Sequence, residues 1–206
     1  MKLGFLLSGS GSTYDNMMEK LQDLGTPAKM AVVISSRPDV YGVVRAKKSG
    51  VPVHIVEYKK YNNDIEEYSR AITKILEEYQ VELVIMGGFM SFYQIPEKYI
   101  HRVMNVHPAL IPAFCGKGMY GHKVHEAVYQ SGVKVTGCTV HFVDNEYDHG
   151  PIIDQSPVEI IAGDTPDTIA EKVVDMERKI YPRAVDAIVR GRYEFKNGRV
   201  FINHTK

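Results

Sequence analysis

Two cysteines, no tryptophan and no net charge are what this 206-residue chain has least of. Cys115 and Cys138 show no C-x-x-C spacing and fit a reducing compartment better than a disulfide framework. Lys plus Arg, 25, balances Asp plus Glu, 25, so no global field recruits nucleic acid or a membrane surface, and only a local anion site is left open. Long apolar runs are missing as well. The Leu3–Leu7 run is too short for a signal peptide or a membrane span, so a cytoplasmic location is expected. Repeats, low-complexity tracts and interdomain linkers do not occur. What is present is ordinary globular composition, 44% hydrophobic and 24% charged, enough to bury a sizeable core as one domain over 1–206.

Short apolar runs alternate with amphipathic segments. Leu3–Leu7, Met30–Ser35, Val51–Val56, Val81–Met86 and Val103–His107 read as buried strands. Between the first two, Tyr14, Met17, Met18, Leu21 and Leu24 recur at helical spacing, with Ser12 or Thr13 as N-cap and Gly25 at the C-cap. A second helix is expected to end at Gly50. From Asp64 to Tyr79 another stripe, Ile65, Tyr68, Ile72, Ile75, Leu76 and Tyr79, predicts a helix packed on a core. Strands and helices at these lengths predict parallel β-α-β units with right-handed crossovers. Farther on, His122–Gln130 reads as helix and Val135–Val143 as a long strand, with another strand beginning at Ile152. Thr165-Pro166 opens a last helix that runs to about Gly191, and Asn197-Gly198 predicts a tight hairpin.

The polar stretch of most interest is Met104-Asn105-Val106-His107-Pro108. In a strand Asn105 and His107 point to one face, at a carboxyl end where open α/β sheets hold ligands. An amide donor beside an imidazole suits a reaction that builds negative charge on a carbonyl oxygen; a satisfied core histidine is the plain alternative. Ser8-Gly9-Ser10-Gly11-Ser12-Thr13, between strand and helix, is either a phosphate cradle or a simple turn. Gly87-Gly88-Phe89-Met90 allows close approach of a ligand or another backbone. The Gly- and Pro-rich segment 108–121 reads as a lid or binding loop. His122 and His125 share a helix face, but no H-E-x-x-H pattern or suitably spaced carboxylate accompanies them, so no metal is expected. Asp148, before Gly150-Pro151, would by default cap its own turn.

Taken together, Ser8-Gly9-x-Gly11-Ser12, Gly88-Phe89-Met90, Asn105-x-His107-Pro108-x-Leu110-Ile111-Pro112, His141-Phe142-Val143 and Asp148-x-Gly150-Pro151 resemble the folate-dependent formyltransferases, in that family's order and over nearly the whole chain. The resemblance implies a single-domain Rossmann-like α/β fold: an open, mostly parallel sheet with helices on both faces and a C-terminal β-hairpin. It implies 10-formyltetrahydrofolate as co-substrate, no metal, and, in the branch this chain resembles most, the amine of glycinamide ribonucleotide as acceptor in purine synthesis. By the resemblance His107 is the catalytic acid, Asn105 a donor to the formyl oxygen and Asp148 the carboxylate that holds His107, with His141 in support. Gly11, Ser12 and Thr13 would take the ribonucleotide phosphate, and Glu177 would contact the same substrate. Met90, Ser91, Phe92 and Tyr93, with Asp144, Asn145, Glu146, Tyr147, Asp148 and Asn105, would line the pterin pocket.

Some residues depart from the family pattern. Ser10 and Thr13 replace common asparagines, Ser91 a common arginine and Arg178 a common histidine, and the loop Phe114–Gly121 is longer than usual. Relatives with the same transfer chemistry and another acceptor, water or an amino-sugar nucleotide, are the alternative enzymes. A non-catalytic folate or nucleotide-binding module is the alternative of another class. A monomer or a homodimer is expected.

Overall fold

The computed structural model describes residues 1–203. The predicted elements form as β1 (Lys2–Leu7), α1 (Ser12–Asp23), β2 (Lys29–Ser35), α2 (Tyr41–Lys48), β3 (Val53–Ile55), α3 (Ile65–Glu78), β4 (Leu83–Met86), β5 (Val103–His107), α4 (His122–Ser131), β6 (Val135–Phe142), β7 (Ile152–Glu159), α5 (Pro166–Val189), β8 (Tyr193–Lys196) and β9 (Arg199–Ile202). The first seven strands join one mostly parallel sheet in the order β3-β2-β1-β4-β5-β6-β7, and β8 and β9 make a separate hairpin. Two compact units are distinguished, Met1–Met104 and Asn105–Lys206.

In the first unit β1 pairs in parallel with β2 on one side and β4 on the other, and β2 with β3. A strand flanked on both sides and covered on both faces needs apolar side chains at successive positions, and Leu3, Phe5, Leu6 and Leu7 are all buried. Tyr14 and Met17 of α1 and Ile72 and Leu76 of α3 are buried too, with Phe5 and Tyr14 meeting edge to face at 5.2 Å. Asp64 caps α3 by accepting from Glu66 N (2.8 Å) and Glu67 N (3.0 Å). At α1 the expectation fails: the N-cap is Gly11, at φ 74°, and no side chain caps the helix. The chain enters this helix through a left-handed residue, which glycine adopts without penalty and Ser12 or Thr13 would not. β1 and β4 are neighbours, yet the chain leaves them toward opposite sides of the sheet. The loops after them therefore share a switch-point edge.

The second unit begins within β5. Its β6 and β7 are antiparallel, with Thr139 opposite Gln155 and His141 opposite Ile152 across a register shift. β6 is buried from Thr136 onward. Thr165 opens α5 in a reciprocal cap with Thr168, and Pro166 occupies the first turn. The hairpin turns on Asn197 (φ 52°) and Gly198 (φ 74°), the two left-handed residues of a type I′ turn. Among the described residues no helix is long and apolar enough to cross a membrane.

Candidate active site

The site of the second unit grows from the carboxyl end of β5. His107 is buried, and both its ring nitrogens face acceptors: Nε2 donates to the Phe114 carbonyl at 2.8 Å, and Nδ1 stands 3.4 Å from Asp148 Oδ2. Asp148 does not cap its own turn. Its Oδ2 accepts from Gly116 N (2.9 Å), and the turn is instead closed by Asp144, whose carboxylate accepts from Glu146 N (2.8 Å) and pairs with His149 Nδ1 (2.7 Å). Asp148 sits at φ 53°, a conformation that Asp tolerates better than most residues. Two residues on, a Cβ at Gly150 would lie 2.0 Å from the Phe142 carbonyl oxygen. The chain can return to β6 this closely only with glycine there.

His141, on β6, completes the cluster. Burial pushes its pKa down and keeps the ring neutral. Nδ1 lies 2.8 Å from the Phe142 carbonyl, so the network assigns the proton to Nδ1 and leaves Nε2 an acceptor facing Asn105 Nδ2 at 3.4 Å. Asn105 can thus give one N–H to His141 and keep the other for a ligand. The 3.8 Å from His141 Nε2 to Asp148 Oδ1 carries no ion pair while the ring is neutral, so Asp148 is left to His107. Thr139 holds the neighbouring turn by donating to Ala109 O (2.7 Å) and accepting from Ile111 N (3.1 Å); the Ile111-Pro112 bond is cis.

His125, His122 and Glu177 are further titratable groups of this unit. His125 of α4 is buried with Nδ1 unpaired among the described residues, and burial, with the charges of His122 and His107, lowers its pKa to about 4. His122 is exposed and engaged by Glu126 (3.0 Å) and Asp167 (2.8 Å), which raise its pKa. Among the described residues no group of three or more His, Cys, Asp or Glu could hold a metal ion. Glu177, half-buried on α5, is raised to about 8 by burial, with the Arg178 guanidinium pulling it the other way.

In the first unit, Gly11, Ser12 and Thr13 sit at the α1 N-terminus; the Ser12 N–H turns to Ser10 Oγ at 3.4 Å, and a cap without a side-chain oxygen leaves the other first-turn N–H groups for a ligand. Ser8 ties this loop to the one after β4: its N–H donates to Gly88 O (3.1 Å), and its hydroxyl accepts from Met90 N (2.8 Å) and shares a proton with Ser36 Oγ (2.5 Å). Met90 is exposed, Ser91 and Phe92 are half-buried, and Tyr93 is buried with its hydroxyl on Thr73 (2.9 Å).

The sequence of this scaffold matches a family model described as formyl transferase over residues 1–185. The chain belongs to the formyl transferase family. It is an enzyme of that family, as the motif resemblance implied. A phosphoribosylglycinamide formyltransferase of Arabidopsis thaliana chloroplasts is 34% identical over 97% of this chain and 69% of its own length. That of Haemophilus influenzae is 29% identical over 98% and 93%. A trifunctional purine biosynthetic protein of Homo sapiens is 34% identical over 97% of this chain, which spans 19% of that protein. Among solved structures, glycinamide ribonucleotide transformylase 1 of Symbiobacterium toebii superposes with a TM-score of 0.90 at 34% identity, covering 98% of this chain and 93% of that one.

Within this formyl transferase, four residues read from the sequence, Asn105, His107, His141 and Asp148, meet in one network. The Ser8–Thr13 loop and Met90–Tyr93 lie in the other unit. Sequence reasoning missed Phe114 and Gly116, because they act through main-chain atoms that every residue carries. It also missed His149, whose five-residue spacing from Asp144 signals nothing until the loop is folded.

Proposed function

We propose that this formyl transferase moves the formyl group of 10-formyltetrahydrofolate to the amine of glycinamide ribonucleotide in de novo purine synthesis. The observation that carries the reading is the Asn105, His107, His141, Asp148 network at the end of β5. The acceptor is suggested by relatives named for it.

The amine attacks the formyl carbon, a carbon–nitrogen bond forms, and the carbonyl electron pair moves to oxygen. The free N–H of Asn105 donates to that oxyanion, and His107 donates to it once its Nε2–H turns from the Phe114 carbonyl to the substrate. The oxyanion collapses, the bond to the folate N10 breaks, and the proton lost by the amine reaches N10 through water and Asp148. Neutral His141 keeps the Asn105 amide turned for this work. Gly11, Ser12 and Thr13 take the phosphate by their N–H groups, and Glu177 meets the glycinamide portion. In the first unit Met90, Ser91, Phe92 and the backbone of Tyr93 are assigned to the pterin; in the second, Asn105 and the segment from Asp144 through Asn145, Glu146 and Tyr147 to Asp148 are assigned to it. The Tyr93 hydroxyl, committed to Thr73, takes no part.

The test follows tetrahydrofolate release from 10-formyltetrahydrofolate with glycinamide ribonucleotide, with water alone and with amino-sugar nucleotides in parallel. Turnover with the ribonucleotide only is expected; turnover with water alone or with a sugar only would overturn the acceptor. His107→Ala should lower kcat by about a hundredfold or more, the loss of about 3 kcal/mol of transition-state stabilisation, with ribonucleotide affinity little changed. An equal loss of both would remove His107 from its catalytic role.

A further inference from the structure

Arg45, on α2, has no part in the chemistry above, yet it is held from three sides against the loop before α1. Its Nε donates to the Ser10 carbonyl at 3.0 Å, its guanidinium pairs with Asp15 in the first turn of α1, and it lies 4.7 Å from the centre of the Tyr41 ring. The backbones of loop and helix also touch. Gly42 N donates to Gly9 O at 3.1 Å, and a Cβ on Gly11 would stand 2.6 Å from Gly42 Cα and 3.3 Å from Arg45 Cδ.

A peptide unit is planar and trans, so its C=O and its N–H point in opposite directions. Pinning the Ser10 carbonyl on Arg45 therefore turns the Gly11 N–H to the far side of the loop. Likewise, pinning the Gly9 carbonyl on Gly42 N turns the Ser10 N–H away from α2. Two consecutive peptides are fixed in this way from a neighbouring helix. Without Arg45 the Ser10–Gly11 unit, next to a residue at φ 74°, is free to rotate and present its carbonyl oxygen where an N–H should stand. A carbonyl aimed at a phosphate repels it.

We propose that Arg45 is a positioning residue for phosphate recognition: it orients the Ser10–Gly11 peptide so that the Gly11 N–H faces the acceptor's phosphate. This rests on the assignment of Gly11, Ser12 and Thr13 as the phosphate cradle. Arg45 itself need not touch the substrate, because its charge is already engaged by Asp15.

The experiment compares glycinamide ribonucleotide with glycinamide riboside, its dephosphorylated counterpart, as acceptors for the wild type, Arg45→Met and Arg45→Lys. For Arg45→Met the expected result is a KM for the ribonucleotide about tenfold higher, the size of one lost charge-assisted hydrogen bond, with kcat within about twofold. KM for the riboside should not change. Arg45→Lys, which retains a cationic donor, should recover part of the loss. Thermal melting of each variant shows whether it is folded, and if Arg45→Met is not, the Lys variant carries the same comparison. Equal losses with both acceptors would reduce Arg45 to a structural brace and overturn the proposal. Retention of the wild-type preference for the ribonucleotide in both variants would overturn it too. A wild type that uses both acceptors equally well would instead remove the phosphate assignment beneath it.

Discussion

At the scale of residues, the chemistry divides by protonation. His141 is held neutral by burial and by its Nδ1 bond to the Phe142 carbonyl, so it serves Asn105 as an acceptor and does not compete for Asp148. His141→Phe, which keeps the bulk and loses the acceptor, should lower kcat by about ten- to a hundredfold through a misoriented Asn105 amide, with KM nearly constant. Steady-state kinetics of the variant decide it, and a change confined to KM would contradict this role. Glu177, raised to about 8, is protonated at pH 7 and can donate a hydrogen bond. Glu177→Gln should therefore keep the ribonucleotide KM within about twofold at pH 7, whereas Glu177→Ala should raise it about tenfold. Above pH 8 the wild-type KM should drift and that of the Gln variant should not. An ionised carboxylate at work would make Gln as poor as Ala.

At the scale of elements, the sequence was most readable where periodicity and punctuation agree. The 3.6-residue stripe with Asp64 ahead of it marks α3, Thr165-Pro166 marks the start of α5, and Asn197-Gly198 marks the hairpin, because each feature acts locally. The N-cap of α1 was misread for the same reason. Ser12 and Thr13 are good caps by type, but close packing of Gly11 on Gly42 decides where the helix begins. Asp148 shows the limit again: its local preference is a turn, and contacts with residues more than thirty positions away override it. A cap that acts locally should also be separable. Thr165→Ala is expected to cost about 1 kcal/mol in chemical unfolding and leave kcat unchanged. A drop in kcat would tie the start of α5 to the site.

At the scale of the whole molecule, balanced charge and the buried histidine bear on stability. The His125 pKa is about 4 in the folded chain and near 6.5 unfolded, so between those values the unfolded state binds the extra proton. Its contribution is complete above pH 6.5 and falls as pH drops toward 4, by about 3 kcal/mol in all. From pH 7 to pH 4 the melting temperature of the wild type should fall relative to that of His125→Leu, and a constant difference between the two curves would deny the effect. The two main-chain contacts from Phe114 and Gly116 to the His107 and Asp148 pair have a consequence for evolutionary drift. Because neither contact is made by a side chain, the one residue between them can change while the number of residues cannot. Cys115 should accept most substitutions in a selection for activity, and deletion of that single position should be as damaging as loss of a catalytic group.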